Sequence, residues 1–170
     1  MTIDDGLVYR EVMELRATPT QVLGFVMTPE RILDYYPDPI EGGVFEDGRA
    51  MWCRGAIGVS MFERIEDESS ADCLVVLVTT AVGLEPPYTP ESIRAGTTFT
   101  MVEDWAVAAS TEGTTLTKSW RDVRTIVDLP FCRLVTLAVV PSGSVLLAAT
   151  SVFGLNFWPS AIRRLVKYFA

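Results

Sequence analysis

The chain has 170 residues, of which 49% are hydrophobic and 21% charged. This length fits one domain with its own core, and this composition excludes a disordered chain. With 22 acidic and 14 basic residues the net charge is -8, which disfavours binding to nucleic-acid phosphates. The sequence contains no histidine. Serine and cysteine catalytic sites that need an imidazole are therefore excluded, as are zinc sites that use histidine.

The cysteines and glycines give no sign of a metal, disulfide or cofactor site. The three cysteines, Cys53, Cys73 and Cys132, are too far apart for a paired CxxC site, and their low, odd number indicates a reducing, cytoplasmic setting. Residues 1–6, which include Asp4 and Asp5, contain no apolar run, so no signal peptide is visible. The glycines between 42 and 58 do not form a dinucleotide-binding fingerprint. We expect no metal and no cofactor.

The first 40 residues predict one strand followed by two short helices. In residues 7–15, apolar and charged side chains nearly alternate, as in a strand with one face in water. Thr18 and Pro19 are typical of a helix N-cap and first helical position, and Thr28-Pro29 repeats the pattern. The second helix must end before Pro37.

From residue 40 the apolar period changes to two, which predicts six antiparallel strands. Asp47-Gly48 is a strong hairpin signal, and the proline-containing residues 82–95 form a loop with one helical turn. The six strands are predicted at residues 41–46, 49–54, 57–66, 73–80, 97–109 and 115–125.

Residues 131–170 form an apolar C-terminal segment that we interpret as helical. This segment carries four basic residues and no acidic one, and residues 134–162 contain no charged side chain. Such a run is long enough to span a membrane, but Pro141-Ser142-Gly143-Ser144 interrupts it. A basic, acid-free segment could also dock on an anionic membrane surface. We favour a third role, as the helix that covers the sheet.

The element order implies a single α+β domain over residues 1–170, in which residues 131–170 cover an antiparallel sheet. Four local strings, in the same order, resemble the SRPBCC (START-like, polyketide cyclase/dehydrase) superfamily, whose helix-grip fold is shared with the birch-pollen allergen. These strings are LRATPTQV at 15–22, YYP at 35–37, EGTTLT at 112–117 and AIRRLVK at 161–167. Two features depart from the family: Tyr36 replaces the commoner tryptophan before Pro37, and the C-terminal segment is longer and less charged.

The resemblance implies a curved seven-stranded antiparallel sheet wrapped around a long C-terminal helix, with an apolar cavity between them. It further implies a hydrophobic ligand such as a lipid, a sterol or a polyketide. Some members of the superfamily cyclise, dehydrate or aromatise polyketides, and the fold does not separate catalyst from carrier. Three functions stay open: a polyketide cyclase or dehydratase, a non-catalytic carrier, and a membrane-associated protein anchored through residues 134–162.

Strand parity selects candidate pocket residues. The apolar face of the strand at 97–109 carries Glu103 among large apolar side chains, and one face of the last strand mixes apolar and charged residues. In the strand at 49–54 parity does not decide whether Trp52 and Arg54 face inward or whether Met51 and Cys53 do. The candidate ligand-binding residues are Trp52, Met61, Phe99, Met101, Trp105 and Trp120, with Tyr35, Tyr36 and Tyr88 at the entrance.

A carboxyl group in an apolar pocket can act as a general acid or base, and a nearby cation can hold an enolate oxygen or a ligand carboxylate. The candidate acid–base residues are Glu103 and Glu63, and the candidate charged partners are Lys118, Asp122, Arg124 and Arg54. In the alternative interpretation, Glu103 and Lys118 are cross-strand partners at the solvent-exposed end of the sheet. A β-bulge would also reverse the face assignment beyond it.

Overall fold

The computed structural model describes residues 7–28, 31–35, 39–46, 48, 50–55, 58–125, 134–139 and 145–149. Among the described residues one antiparallel sheet contains nine strands, and seven of them follow one another in the spatial order β2-β3-β4-β5-β6-β7-β1. They are β1 Leu7–Leu15, β2 Glu41–Val44, β3 Ala50–Arg54, β4 Gly58–Arg64, β5 Cys73–Val82, β6 Phe99–Ser110 and β7 Gly113–Thr125. The α+β class and the antiparallel sheet are therefore confirmed.

Two helices follow β1, as predicted: α1 Pro19–Met27 and α2 Ile32–Tyr35. The Thr18 side chain accepts a hydrogen bond from the Gln21 backbone N–H, and the Gln21 side chain accepts one from Thr18 N, which forms a capping box. The predicted helical turn in the proline-containing loop is α3, Pro90–Ala95, and Thr89 caps it in the same way.

The sheet has a hydrophobic cluster on each face. The face that we call the α1 face carries Met51, Phe62, Val78 and Met101 at one register level, and α1 packs on it. The face that we call the α3 face carries Val59, Met61 and Ala81, which cluster with Ile93 of α3. Because both faces of β4 and β5 are covered, buried residues follow one another along these strands rather than alternating with exposed ones.

The described part of the C-terminal segment corrects one prediction. Two strands, β8 Leu134–Val139 and β9 Val145–Ala149, form an antiparallel hairpin, and Val145 pairs with Arg10 of β1. The prediction of a helix was therefore wrong for these two stretches. Residues 141–144 contain the proline and glycine that we expected to interrupt a helix, and they separate two short apolar runs whose length suits a strand as well as a helix.

The rest of the predicted covering helix, residues 131–133, 140–144 and 150–170, lies outside the described residues, as does the predicted contact between this helix and the sheet. Within the described ranges, no helix is both long enough and apolar enough to cross a bilayer.

Candidate functional site

Four side chains on the α1 face form a square across β6 and β7. Glu103 lies directly opposite Trp120, and Trp105 lies directly opposite Lys118. The acid and the base are therefore diagonal neighbours, as are the two tryptophans, and long side chains can reach across such a diagonal. Lys118 is fully buried and Glu103 is 2% exposed. The alternative that placed this pair at the solvent-exposed end of the sheet is wrong.

The carboxylate of Glu103 is held by three groups of the square. Its Oε2 accepts a hydrogen bond from Trp105 Nε1 at 3.2 Å, and its Oε1 accepts one from Trp120 Nε1 at 3.0 Å. Lys118 Nζ lies 3.4 Å from the same Oε1. A buried carboxylate needs such donors to offset the loss of hydration, and here every donor comes from the same two strands.

The ammonium of Lys118 lies between two indole rings. Its Nζ is 4.0 Å from the ring centroid of Trp105 and 5.6 Å from that of Trp120. Both distances allow a cation–π interaction, which is strongest when the cation is desolvated. Burial lowers the pKa of Lys118 to about 8, although the charge and hydrogen bonding of Glu103 act in the opposite direction. The lysine can therefore exchange a proton near neutral pH.

Tyr35 of α2 covers the square from the helix side. Its ring packs edge-on against Trp105 at a centroid distance of 5.7 Å, and its hydroxyl donates a 3.0 Å hydrogen bond to the carbonyl oxygen of Val26. Burial, followed by the negative charge of Glu103, raises the pKa of Tyr35 well above its ordinary value. The phenol therefore stays protonated, and its one proton is donated to the Val26 carbonyl.

A small cavity lies between the helices and the square. It is lined by Val26 and Tyr35 from the helices and by strand residues that include Met51, Glu103 and Trp105. Its volume is about 10 Å³, which is room for about one water molecule. Any larger ligand must displace the side chains of α1 and α2 that cover the cavity. Met51 and Met101, two methionines of this face, can change rotamer readily because their side chains are unbranched.

Glu11 of β1 belongs to the same face and is not among the residues predicted from the sequence. It is directly opposite Lys118 in the β1–β7 pairing, it is half-buried, and its charge acts on Lys118. Parity along β1 could have identified it, since it stands two residues before Met13, a core residue. The lysine therefore has a carboxylate on each neighbouring strand.

Several predicted pocket residues lie on the α3 face instead. Trp52 and Arg54 pair with Met61 and Val59, so parity assigns all four to that face. Trp52 packs near Tyr88 at a centroid distance of 5.3 Å, within the α3-face cluster. The structure places Val59, Met61 and Glu63 of β4 on the face away from Glu103. Both faces of β4 are buried, and a sequence period cannot then select one of them.

The charged residues on the α3 face have partners of their own. Glu63 Oε1 lies 2.6 Å from Arg94 Nη2 of α3, and Arg54 Nε lies 2.7 Å from Glu41 Oε1. All four side chains are partly exposed, so these are surface ion pairs. Neither pair reaches Glu103. Glu63 and Arg54 therefore do not join Glu103 on the α1 face.

A bulge in β7 removes Asp122 and Arg124 from the square. Arg121 pairs with Val102 and Arg124 with Thr100, so β7 has one more residue than β6 over this stretch. Asp122 takes up the extra residue with φ of 53°, and its carboxylate pairs with Arg121 at 3.1 Å. Beyond the bulge parity reverses, so Arg124 lies on the face opposite Glu103. The predicted shared face was wrong at these two positions.

The remaining predicted ligand-binding residues lie on the α1 face or outside the described residues. Phe99 and Met101 lie on the same face as Glu103 by the β5–β6 register, and both are half-buried. Tyr36 lies outside the described residues. Among the described residues, no group of three or more cysteine, aspartate or glutamate side chains could hold a metal ion.

Comparison with known proteins relates the chain to solved structures through the fold alone. No protein-family model matches it, and no curated protein matches its sequence significantly. A protein from Chromobacterium violaceum is 13% identical with a TM-score of 0.55, covering 96% of this chain and 97% of that one. The protein XoxI from Bacillus cereus is 14% identical with a TM-score of 0.51, covering 94% and 93%.

A third similar structure comes from a biosynthetic gene cluster. DynU16, a protein of the dynemicin biosynthetic locus, is 16% identical with a TM-score of 0.53. The match covers 96% of this chain and 47% of DynU16, so the chain spans about half the length of that protein. At these identities the comparisons establish a shared α+β fold.

Proposed function

We propose that this protein binds a hydrophobic small molecule on the α1 face, between the sheet and the helices α1 and α2, as a member of the SRPBCC superfamily. Lys118 and Glu103 carry the proposal, because they form a buried ion pair between two indoles beside a cavity. Desolvating two charges costs more than packing apolar side chains of the same size. A buried ion pair beside a cavity is therefore a candidate functional site.

One of the fold neighbours, DynU16, supports the same class of function. DynU16 comes from a locus that makes a small molecule, and its fold is similar over nearly the whole of this chain. The walls of the site suit an aromatic or polycyclic ligand, because Trp105, Trp120 and Tyr35 offer large rigid surfaces. Glu103, which borders the cavity, would orient the polar end of the ligand.

Acid–base catalysis of a cyclisation or dehydration is the second candidate. It is favoured by the lowered pKa of Lys118, which lies next to Glu103 and can gain or lose a proton near neutral pH. Binding alone is better supported, because both oxygens of Glu103 are engaged by the indoles and Lys118 is fully buried. The carrier and the catalyst differ in whether a product forms.

The test begins with native mass spectrometry of the purified protein and of its extracted small molecules. We expect a bound hydrophobic compound in the wild type and much less of it in Lys118→Met and Trp105→Leu. The control is Glu63→Gln, which changes a carboxylate on the α3 face and should retain the compound. Equal loss in the control, or no binding of the recovered compound when it is added back, would contradict the proposal.

The same recovered compound separates the carrier from the catalyst. Incubated with the wild type, a substrate is converted to a product of altered mass or absorbance, whereas a carried ligand is recovered unchanged. For a catalyst we expect Glu103→Gln to abolish conversion while the compound still binds. If the compound is recovered unchanged from the wild type, the protein is a carrier and the catalytic candidate is excluded.

A further inference from the structure

The chain uses lysine at only two of its 14 basic positions, Lys118 and Lys167, and arginine at the other twelve. For a buried ion pair arginine is the better suited residue, because its guanidinium is more weakly hydrated and is never deprotonated in a protein. Yet the fully buried basic position of the square is a lysine. A lysine amine can lose its proton and become a nucleophile, which a guanidinium cannot. The choice of residue therefore points to chemistry at Lys118 Nζ.

The groups around Nζ suit a nucleophilic amine. Burial lowers the pKa of Lys118 to about 8 against the opposing charges of Glu103 and Glu11, so part of the amine is neutral at neutral pH. Glu103 Oε1 lies 3.4 Å from Nζ and can take the ammonium proton. Tyr35, which covers the square from α2, keeps its own proton and adds no charge.

The cavity gives a ligand its approach to Nζ. Glu103 and Trp105, which both contact Nζ, line the cavity on the sheet side, and Val26 and Tyr35 line it on the helix side. A ligand that displaces the helix-side cover therefore brings its polar end to Glu103, next to the amine. Water hydrolyses imines, and a site that is closed to water protects them.

We propose, on the basis of the ligand-binding function above, that the site takes hydrophobic aldehydes and ketones and holds them as an imine on Lys118. The ammonium gives a proton to Glu103, and the neutral nitrogen attacks the carbonyl carbon. A proton moves from nitrogen to the carbonyl oxygen, which completes a carbinolamine. Glu103 returns its proton to that oxygen, the C–O bond breaks, water leaves, and the nitrogen lone pair forms the C=N bond.

The site is equally suited to the product of this reaction. The protonated imine carries the same single positive charge as the ammonium that it replaces. It can keep the ion pair with Glu103 and the ring faces of Trp105 and Trp120, whose centroids lie 4.0 and 5.6 Å from Nζ. An alcohol or a hydrocarbon cannot form this bond. The inference therefore narrows the proposed hydrophobic ligand to carbonyl compounds.

The test uses 2-naphthaldehyde as the carbonyl probe and sodium cyanoborohydride, which reduces an imine to a stable secondary amine. Peptide mapping by mass spectrometry after reaction at neutral pH separates Lys118 from Lys167 and from the terminal amine. We expect at least about 10-fold more adduct on Lys118 than on Lys167, because a pKa of about 8 leaves far more neutral amine than the ordinary lysine value of about 10.4. In urea the preference should vanish. Equal labelling of the two lysines in the folded protein would overturn the inference.

Lys118→Arg and Lys167→Arg are matched variants, since each keeps the charge of the chain and removes one amine. We expect Lys167→Arg to give the same adduct on Lys118 as the wild type, and Lys118→Arg to give no compensating adduct on Lys167. Excess 2-naphthylmethanol, which has the same ring but no carbonyl group, should suppress the labelling of Lys118 alone. Labelling of Lys118 that this alcohol does not reduce would place the reaction outside the ligand site and contradict the inference. Should Lys118→Arg not fold, the peptide map of the wild type decides.

Calorimetry with 2-naphthylmethanol separates this inference from the proposed function. If the alcohol does not bind the wild type and 2-naphthaldehyde does not label Lys118, the ligand-binding function fails and the inference fails with it. If the alcohol binds but Lys118 is labelled no more than Lys167, the ligand-binding function stands and the imine is overturned.

Discussion

Glu103 and Lys118 are diagonal neighbours on adjacent strands, with Nζ 3.4 Å from Oε1 and both side chains buried. The other diagonal of the square is occupied by Trp105 and Trp120, so each charge has an indole directly across the strand pair. The indoles donate to the acid through nitrogen and offer their ring faces to the base. The same two residues thus solvate both charges where water is excluded.

Removing one charge of this pair should destabilise the fold strongly. We expect Lys118→Met to lower the free energy of unfolding by about 3–5 kcal/mol, because it leaves Glu103 buried without its counter-charge. Adding Glu103→Gln to the same chain should recover part of the loss, a coupling of at least about 1 kcal/mol. Urea denaturation of both variants measures this.

The control for this prediction is the exposed pair of Glu63 and Arg94. Arg94→Met should cost no more than about 1 kcal/mol, because solvent screens both charges. Equal losses in Lys118→Met and Arg94→Met would show that the buried pair has no special energetic role.

The titration of Lys118 should make stability depend on pH. Its pKa is lowered from 10.5 to about 8, so between these values the unfolded chain holds a proton that the native lysine has lost. Stability then rises with pH through this window, by up to about 1.4 kcal/mol per unit. Burial raises the pKa of Cys53 from 9.0 to about 12, which opposes this rise above pH 9 because the unfolded thiol ionises first.

The lysine contribution is isolated by subtracting the unfolding free energies of Lys118→Met from those of the wild type at each pH. Cys53 and Tyr35 are present in both chains, so their effects cancel. We expect the difference to increase in favour of the wild type between pH 8 and 10.5. A flat difference across this range would contradict the lowered pKa.

The hydroxyl of Tyr35 should contribute to the attachment of α2. Tyr35→Phe removes the donor to the Val26 carbonyl and leaves that buried acceptor without it, at a cost of about 1–2 kcal/mol. Tyr88→Phe, in a half-buried tyrosine of the α3-face cluster, should cost less than about 0.5 kcal/mol. Thermal unfolding of the two variants compares them, and a larger effect at Tyr88 would be inconsistent with this role.

Gly113 should tolerate no side chain. Its φ is +140°, and a Cβ there would clash with the Leu15 carbonyl oxygen. We expect Gly113→Ala to lower the free energy of unfolding by about 2 kcal/mol or more, because neither the backbone of β1 nor that of the turn can move away. The control is Gly24→Ala in α1, where a Cβ meets nothing within 4 Å, and which should raise stability by about 0.5–1 kcal/mol. Circular dichroism melts measure both, and a neutral Gly113→Ala would contradict this geometry.

Local patterns determined much of the fold. The cap-and-proline sequences at Thr18 and Thr89, the glycine of the last hairpin and the alternation in β6 act over a few residues, so their structure follows from the sequence nearby. The α+β class and the presence of Glu103 on an apolar face followed from these patterns. The pairing of Glu103 with Lys118 was also one of the acid–base pairings predicted from the sequence.

Only the tertiary structure decided which face each charged residue occupies. In β4 both faces are covered, so the sequence period does not show which face lies on the side of Glu103. Glu63 in fact pairs with Arg94 on the α3 face. In β7 one extra residue at Asp122 reverses parity for Arg124, and whether a strand bulges depends on its partner. The strands β8 and β9 likewise depend on pairing with each other and with β1, because apolar runs of this length suit a strand or a buried helix equally.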